Sequence, residues 1–229
     1  MFRPLCVCGI IAKTRLDLSQ MRTHVVILMH VREVPLPTST ARLMVRALQN
    51  SEIRLRGVPD QPLKTEGLVV SERQSLLLYP SDEALELNAE TLSRFDRPIT
   101  LIVPDGSWRQ ARKVAVREPS LHGLPQVKLP AGPPSRYRLR KEPNEQSVST
   151  FEAIARALGI IEGAAVQTQL EDLFDMRVER TLWSRGMLKE EECRFGIPQA
   201  AYDAFRVAGC RGGENAKRLL AERRAQLTP

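Results

Sequence analysis

Two short runs, at residues 25–29 and 99–103, leave this chain few ways to fold. Val25-Val26-Ile27-Leu28-Met29 and Ile99-Thr100-Leu101-Ile102-Val103 are apolar at successive positions, not alternate ones. A strand of that kind is buried on both faces, as in a parallel sheet covered by helices on either side. Neither run approaches the roughly 20 apolar residues that cross a bilayer, so no membrane association is expected. Helical periodicities alternate with these runs. The expected fold class is therefore α/β, with a mostly parallel sheet, helices on both faces and a helical C-terminal extension. Ligands in such folds sit beyond the carboxyl ends of the strands. That directs attention to the loops after Met29, Tyr79, Val103 and Leu129.

The local signals fill in the rest. A central strand spans His24–His30 and is broken by Pro35 and Pro37. Thr38-Ser39-Thr40 caps a helix over 41–49. Short strands are expected at 68–71 and 75–79, the second stopped by Pro80. An amphipathic helix with acids in its first turn is expected over 82–95. The strand at 99–103 ends at Pro104, a helix covers 107–117, and a short strand covers 126–129. Residues 130–144, rich in Pro, Gly and Arg, read as a loop. Ser149-Thr150-Phe151-Glu152 is a capping box; its helix runs to Leu158 and stops at Gly159. A longer helical pattern covers 163–183, and helices follow Pro198. This divides the chain into a main domain over 1–185 and a basic helical extension over 186–229.

The chain has 229 residues and a formal net charge of +7. The charge is uneven. Residues 109–141 hold nine basic side chains (Arg109, Arg112, Lys113, Arg117, Lys128, Arg136, Arg138, Arg140, Lys141) against Glu118 alone, which is +8 in one segment. Residues 81–98 are acidic, and 206–229 are basic again. Tyr137 interleaves with Arg136, Arg138 and Arg140, a pattern suited to holding phosphates and stacking a base. The anionic partner most in keeping with this is nucleic acid, although charge runs are equally the ordinary dress of a solvated face. Four scattered cysteines make no disulfide scaffold, and no secretory leader precedes the first strand. A reducing, cytoplasmic setting is expected, with no protein partner implied.

The loop after the second apolar run reads Pro104-Asp105-Gly106-Ser107-Trp108. It sets an acid, a glycine, a hydroxyl and an aromatic at a strand's carboxyl end and a helix's start. Helix capping by Asp105 or Ser107, with Trp108 in the core, explains the local pattern equally well. No G-x-G-x-x-G, Walker A, G-x-S-x-G or H-E-x-x-H motif is present. Asp105-Gly106-Ser107-Trp108 resembles the D-x-[TS]-W signature of the DTW-domain family. Further motifs match in order: Cys6-Val7-Cys8, Ile27-Leu28-Met29-His30 with Glu33, Ser39-Thr40-Ala41, Leu78-Tyr79-Pro80-Ser81, Tyr137-Arg138-Leu139-Arg140 and Ser149-Thr150-Phe151-Glu152-Ala153.

That resemblance implies an S-adenosylmethionine-dependent tRNA-uridine aminocarboxypropyltransferase. Such an enzyme moves the 3-amino-3-carboxypropyl group of S-adenosylmethionine to N3 of a uridine and releases methylthioadenosine. It also implies a SPOUT-like fold with a trefoil knot. Carried onto this chain, Asp105 is the candidate acceptor of the N3 proton or a positioning group, with Ser107 and Trp108 beside it. Leu78, Tyr79, Pro80, Ser81, Pro104, Gly106, Leu129, Pro130, Thr150 and Glu152 would line the S-adenosylmethionine pocket, Glu152 having the capping role as its alternative. Arg109, Arg112, Lys113, Arg136, Tyr137, Arg138 and Arg140 would face tRNA. Relatives carry more cysteines ahead of the Cys-x-Cys pair, whereas here Met1 lies five residues before Cys6. Two ligands do not close a zinc site, so no metal is expected and Cys6 and Cys8 are only weak ligand candidates. The alternatives are an RNA methyltransferase of SPOUT type and a non-catalytic RNA-binding module.

Overall fold

A computed structural model describes residues 3–13, 21–140 and 147–207. Lys141 and most of the basic tail therefore lie outside the described residues. Six strands, β1 (His24–His30), β2 (Ser51–Arg56), β3 (Gln74–Leu78), β4 (Leu85–Glu86), β5 (Ile99–Asp105) and β6 (Gln126–Lys128), form one sheet. Its order is β2-β1-β5-β3-β6-β4, and every pairing is parallel. The described α-helices are α1 (Cys8–Lys13), α2 (Ala41–Ala47), α3 (Ala89–Leu92), α4 (Trp108–Arg117), α5 (Thr150–Ile161), α6 (Ala164–Ser184) and α7 (Gln199–Val207).

The apolar runs have the reason anticipated for them. Val25, Ile27 and Met29 face a core shared with Met44 of α2, Phe151 and Ile154 of α5, and Phe174 and Trp183 of α6. Val26 and Leu28 face a smaller core made with Val114 and Ala115 of α4, Leu68 and Leu121. Leu101 and Val103 join the first core and Ile102 the second. Helices thus cover both faces, and the two central strands need apolar side chains at nearly every position. The outer strands differ. β4 has two residues, and β2 carries Glu52, Arg54 and Arg56 at alternate positions.

Several local expectations are corrected. Residues 82–95 do not form one helix: Leu85 and Glu86 pair with Val127 and Lys128. Asn88 then caps the short α3 by accepting from the Thr91 N–H at 2.8 Å. The buried Ala84 and Leu87 gave the segment its helical spacing, but a free sheet edge claimed its middle. Residues 68–71 are a turn, not a strand, with Leu68 buried in the smaller core. β5 runs on through Pro104 to Asp105. The proline is tolerated because pairing with β3 has already ended at Leu77 and Ile102, while β1 continues alongside. The helix expected over 41–49 ends at Ala47, and Thr40 makes no side-chain cap.

Gly159 does not stop α5, which continues to Ile161. It sits where α6 crosses. A Cβ there would meet Gln167 Cβ at 2.7 Å, so only glycine lets the two helices come this close. No described helix is long and apolar enough to cross a membrane.

Candidate active site

β5 ends on Asp105 in the middle of the sheet, opposite Met29 of β1. The residue is 7% exposed. Oδ1 accepts a 2.6 Å hydrogen bond from the Thr150 hydroxyl at the start of α5. Oδ2 is buried with no hydrogen-bond partner. Burial raises the Asp105 pKa from the usual carboxylate range to about 6; the Thr150 bond and Arg140 act against this, and Glu33 adds to it. A buried carboxylate with one unsatisfied oxygen and a proton affinity near neutrality is suited to accepting a proton from a bound ligand.

The turn out of β5 depends on Gly106, at φ +150°. A Cβ there would lie 2.9 Å from Gln110 Oε1 and 3.3 Å from His30 Cβ. Ser107 caps α4 in a full capping box: its oxygen accepts from the Gln110 N–H, and Gln110 Oε1 accepts from the Ser107 N–H at 2.7 Å. Trp108 is not in the core. At 43% exposure its ring stands in solvent on the first turn of α4. Arg109, Arg112 and Lys113 continue along the exposed side of that helix and make no ion pair among the described residues. They form one basic face beside the loop that carries Asp105.

The loops from β3 and β6 flank this point. Tyr79 N–H donates to the Val127 carbonyl at 2.9 Å, holding the start of Leu78-Tyr79-Pro80-Ser81 against β6. Leu78 is buried, Tyr79 half-buried and Pro80 exposed, and the buried Ser81 hydroxyl oxygen has no partner. Leu129 and Pro130 follow β6 and are half-buried. The carboxyl ends of β1, β3, β5 and β6 thus bring together most of the residues expected to line a pocket.

The structure gives four of the expected residues other partners: Glu152, Tyr137, Arg136 and Arg140. Glu152 is 1% exposed, and its carboxylate is a structural hub. It accepts from the Arg136 N–H (2.7 Å), the Ser135 hydroxyl (2.7 Å), the Ser149 N–H (3.0 Å) and the Ser149 hydroxyl (2.8 Å). It completes the capping box and ties the loop after β6 to α5. Tyr137 is 5% exposed, and its ring packs 5.6 Å from that of Phe174 while its hydroxyl donates to the Thr38 carbonyl. The ring belongs to the core and is not presented for base stacking. Arg136 is paired with Glu171 (2.7 Å) and Asp175 (2.8 Å) on α6. Only Arg138 of this group is exposed without a carboxylate partner among the described residues.

Arg140 is half-buried and turned inward. Its Nη2 donates to Glu33 Oε2 at 2.9 Å and its Nε to the Thr38 hydroxyl at 2.9 Å. Glu33, just past β1, is 7% exposed. Sequence reasoning did not assign Glu33 or Thr38 to the site. The one available signal was the place of Glu33, three residues after His30, in the ordered motif set. His30 itself is half-buried at the end of β1 and accepts from the Arg32 N–H through Nδ1. Burial, followed by the Arg32 and Arg56 charges, holds its pKa below the ordinary value.

Cys6 and Cys8 lie at the amino end of α1. Cys8 Sγ accepts from Arg46 Nη1 at 3.0 Å, and Cys6 Sγ from the Cys8 N–H at 3.4 Å. Burial pushes the Cys6 thiol up, but the Cys8 hydrogen bonds and the Arg46 charge outweigh it and hold the thiol below its usual value. Among the described residues no three His, Cys, Asp or Glu side chains are grouped to hold a metal ion.

The family model described as "DTW domain" matches residues 1–182. A Drosophila melanogaster protein named tRNA-uridine aminocarboxypropyltransferase 2 is 39% identical over 94 residues, 41% of this chain and 37% of that protein. The Mus musculus protein of the same name is 32% identical over 165 residues, covering 69% of this chain and 53% of its own length. The Arabidopsis thaliana tRNA-uridine aminocarboxypropyltransferase A is 28% identical over 186 residues, 69% of each chain. The chain spans about half or less of the length of the animal relatives. No solved structure matches it.

Proposed function

The chain belongs to the DTW-domain family, and from that membership and the site we propose that it transfers a 3-amino-3-carboxypropyl group to N3 of a uridine in tRNA. The observation that carries the reading is Asp105: a buried carboxyl with one unsatisfied oxygen at the carboxyl end of the central strand. Uracil N3 is protonated at neutral pH and must lose that proton to become a nucleophile. Asp105 Oδ2 accepts it, while the Thr150 hydroxyl holds Oδ1 and fixes the plane of the carboxyl group. An ordinary aspartate is too weak a base for this task; the buried position supplies the higher affinity.

S-adenosylmethionine, when bound, supplies the aminocarboxypropyl group on a sulfonium centre and leaves as methylthioadenosine. The residues present fit it. Leu78–Ser81, Pro104, Gly106, Leu129 and Pro130 offer backbone groups and half-buried apolar surface, and the unpartnered Ser81 hydroxyl oxygen awaits a donor. Thr150 borders the same place through its bond to Asp105. Trp108, exposed on α4, is the aromatic positioned to stack on a base delivered to Asp105. Ser107 holds the loop through its cap.

The test is mass spectrometry of tRNA nucleosides after incubation with the protein and S-adenosylmethionine. The expected result is a 3-(3-amino-3-carboxypropyl)uridine and an equal amount of methylthioadenosine. S-adenosylhomocysteine with a methylated nucleoside would replace this reading by a methyltransferase, and no product with retained tRNA binding would leave an RNA-binding module.

The tRNA backbone is met by the exposed face of α4. Changing Arg109, Arg112 and Lys113 together to Gln is expected to weaken tRNA binding. It should lower the slope of log affinity against log salt by about 2–3, close to one for each phosphate no longer neutralised. Filter binding from about 50 to 200 mM salt reads this directly. An unchanged slope would move the RNA interface elsewhere, with the exposed Arg138 and the basic tail next in line.

A further inference from the structure

Arg156, on α5, is a half-buried guanidinium with no acceptor. Its Nε is shut away from solvent without a hydrogen-bond partner, and the side chain makes no ion pair among the described residues. Its position should have given it one. Glu152 stands four residues earlier on the same helix, with the acid on the N-terminal side, the spacing and order that favour pairing. But the Glu152 carboxylate is already taken by the Ser135 and Ser149 hydroxyls and by the Arg136 and Ser149 N–H groups. Glu171 and Asp175 of α6 are held by Arg136.

The guanidinium lies instead against the loop after β6. A Cβ built on Gly132 would sit 3.3 Å from Arg156 Nη1. Gly132 comes just after Leu129 and Pro130, so this loop is the one given above as a wall of the S-adenosylmethionine pocket. The helix supplies a second landmark. Thr150, which bonds Asp105, begins α5, and Arg156 follows about 9 Å along its axis. Helical side chains lean toward the N-terminus, which carries the cation back in the direction of Asp105.

A cation kept from its natural partner, partly withdrawn from water and set against a pocket wall, suits an anion that arrives with the ligand. Resting on the transfer reading above, we propose that Arg156 receives the carboxylate of the aminocarboxypropyl group and so orients the arm that is transferred. A guanidinium binds a carboxylate through two parallel hydrogen bonds, which fixes direction as well as place. A tRNA phosphate fits less well: the exposed Arg109, Arg112 and Lys113 stand ready for phosphates, whereas Arg156 is half-buried on a different helix.

The test is calorimetric binding of two ligands to the full chain. One is S-adenosylmethionine; the other is its decarboxylated form, which keeps the adenosine, the sulfonium and the amine. Arg156→Gln is expected to weaken S-adenosylmethionine by about 10- to 100-fold and to leave the decarboxylated ligand unchanged. The unaltered chain should prefer S-adenosylmethionine by a similar factor. Arg156→Lys should recover part of the loss, because a point charge replaces a planar fork.

Equal weakening of both ligands would make Arg156 a structural residue and overturn the inference, as would no weakening of either. Loss confined to tRNA binding would give the cation to a phosphate and overturn it too. If Arg156→Gln fails to fold, Arg156→Lys decides through the same preference, which should fall below that of the unaltered chain; an equal preference overturns the inference. All these outcomes leave the transfer reading standing. An unaltered chain that binds neither ligand would bring down that reading, and the role of Arg156 with it.

Discussion

Asp105→Asn is expected to lower the rate of transfer by about 10²–10⁴, the range spanned by loss of a positioned proton acceptor, and to make the protein more stable above pH 6. Both effects come from the same burial. The folded chain holds the Asp105 proton to about pH 6, whereas the unfolded chain releases it near the ordinary carboxylate value. Between about pH 4 and 6 the folded state therefore binds the extra proton, and stability falls as pH rises through that window. Above it the ionised, buried carboxylate costs on the order of 2–3 kcal/mol. Asparagine has no such titration and still accepts the Thr150 hydrogen bond. Urea midpoints of both proteins at pH 4.5 and 8 measure the difference. The gap between them should widen in favour of the variant at pH 8. Undiminished transfer by the variant would remove Asp105 from the chemistry.

Glu152→Ala is expected to be the most destabilising single change near the site. Four donors lose their acceptor at once, among them the backbone N–H groups of Arg136 and Ser149. An unsatisfied buried donor costs about 1–3 kcal/mol, and water reaching part of the loop recovers some of that. A net loss of about 3–4 kcal/mol follows, which lowers Tm by roughly 6–16 °C in a protein of this size. Thermal unfolding followed by circular dichroism checks it. A variant with normal Tm and weakened S-adenosylmethionine binding would instead return Glu152 to the pocket wall.

What could be read in the sequence was whatever is set by near neighbours. The runs around Ile27 and Ile102 announced strands buried on both faces, and the Ser149–Glu152 box announced where α5 begins. The loop at Asp105 stood out because it follows the second such strand. What could not be read depends on distant partners. The spacing of Ala84 and Leu87 fits a helix, and only the arrival of β6 beside Leu85 makes that stretch an edge strand. Tyr137 among arginines reads as a base-stacking platform until Phe174, from a helix 37 residues on, covers its ring. Arg140 and Glu33 are 107 positions apart. No local pattern records that one holds the other, and so a residue expected to meet phosphate turns out to face inward.

The two ends of the sheet have a consequence for how this chain meets other copies of itself. An exposed strand edge is a template on which any extended peptide can continue the ladder. Here one border, β4, offers only two residues of backbone, and the other, β2, presents Glu52, Arg54 and Arg56 in alternation. Repeating such a border against itself sets little backbone against little backbone at one side and a row of charged side chains to be desolvated at the other. The fold thereby resists runaway strand-by-strand assembly, and concentrating the protein should not by itself seed fibres along its sheet.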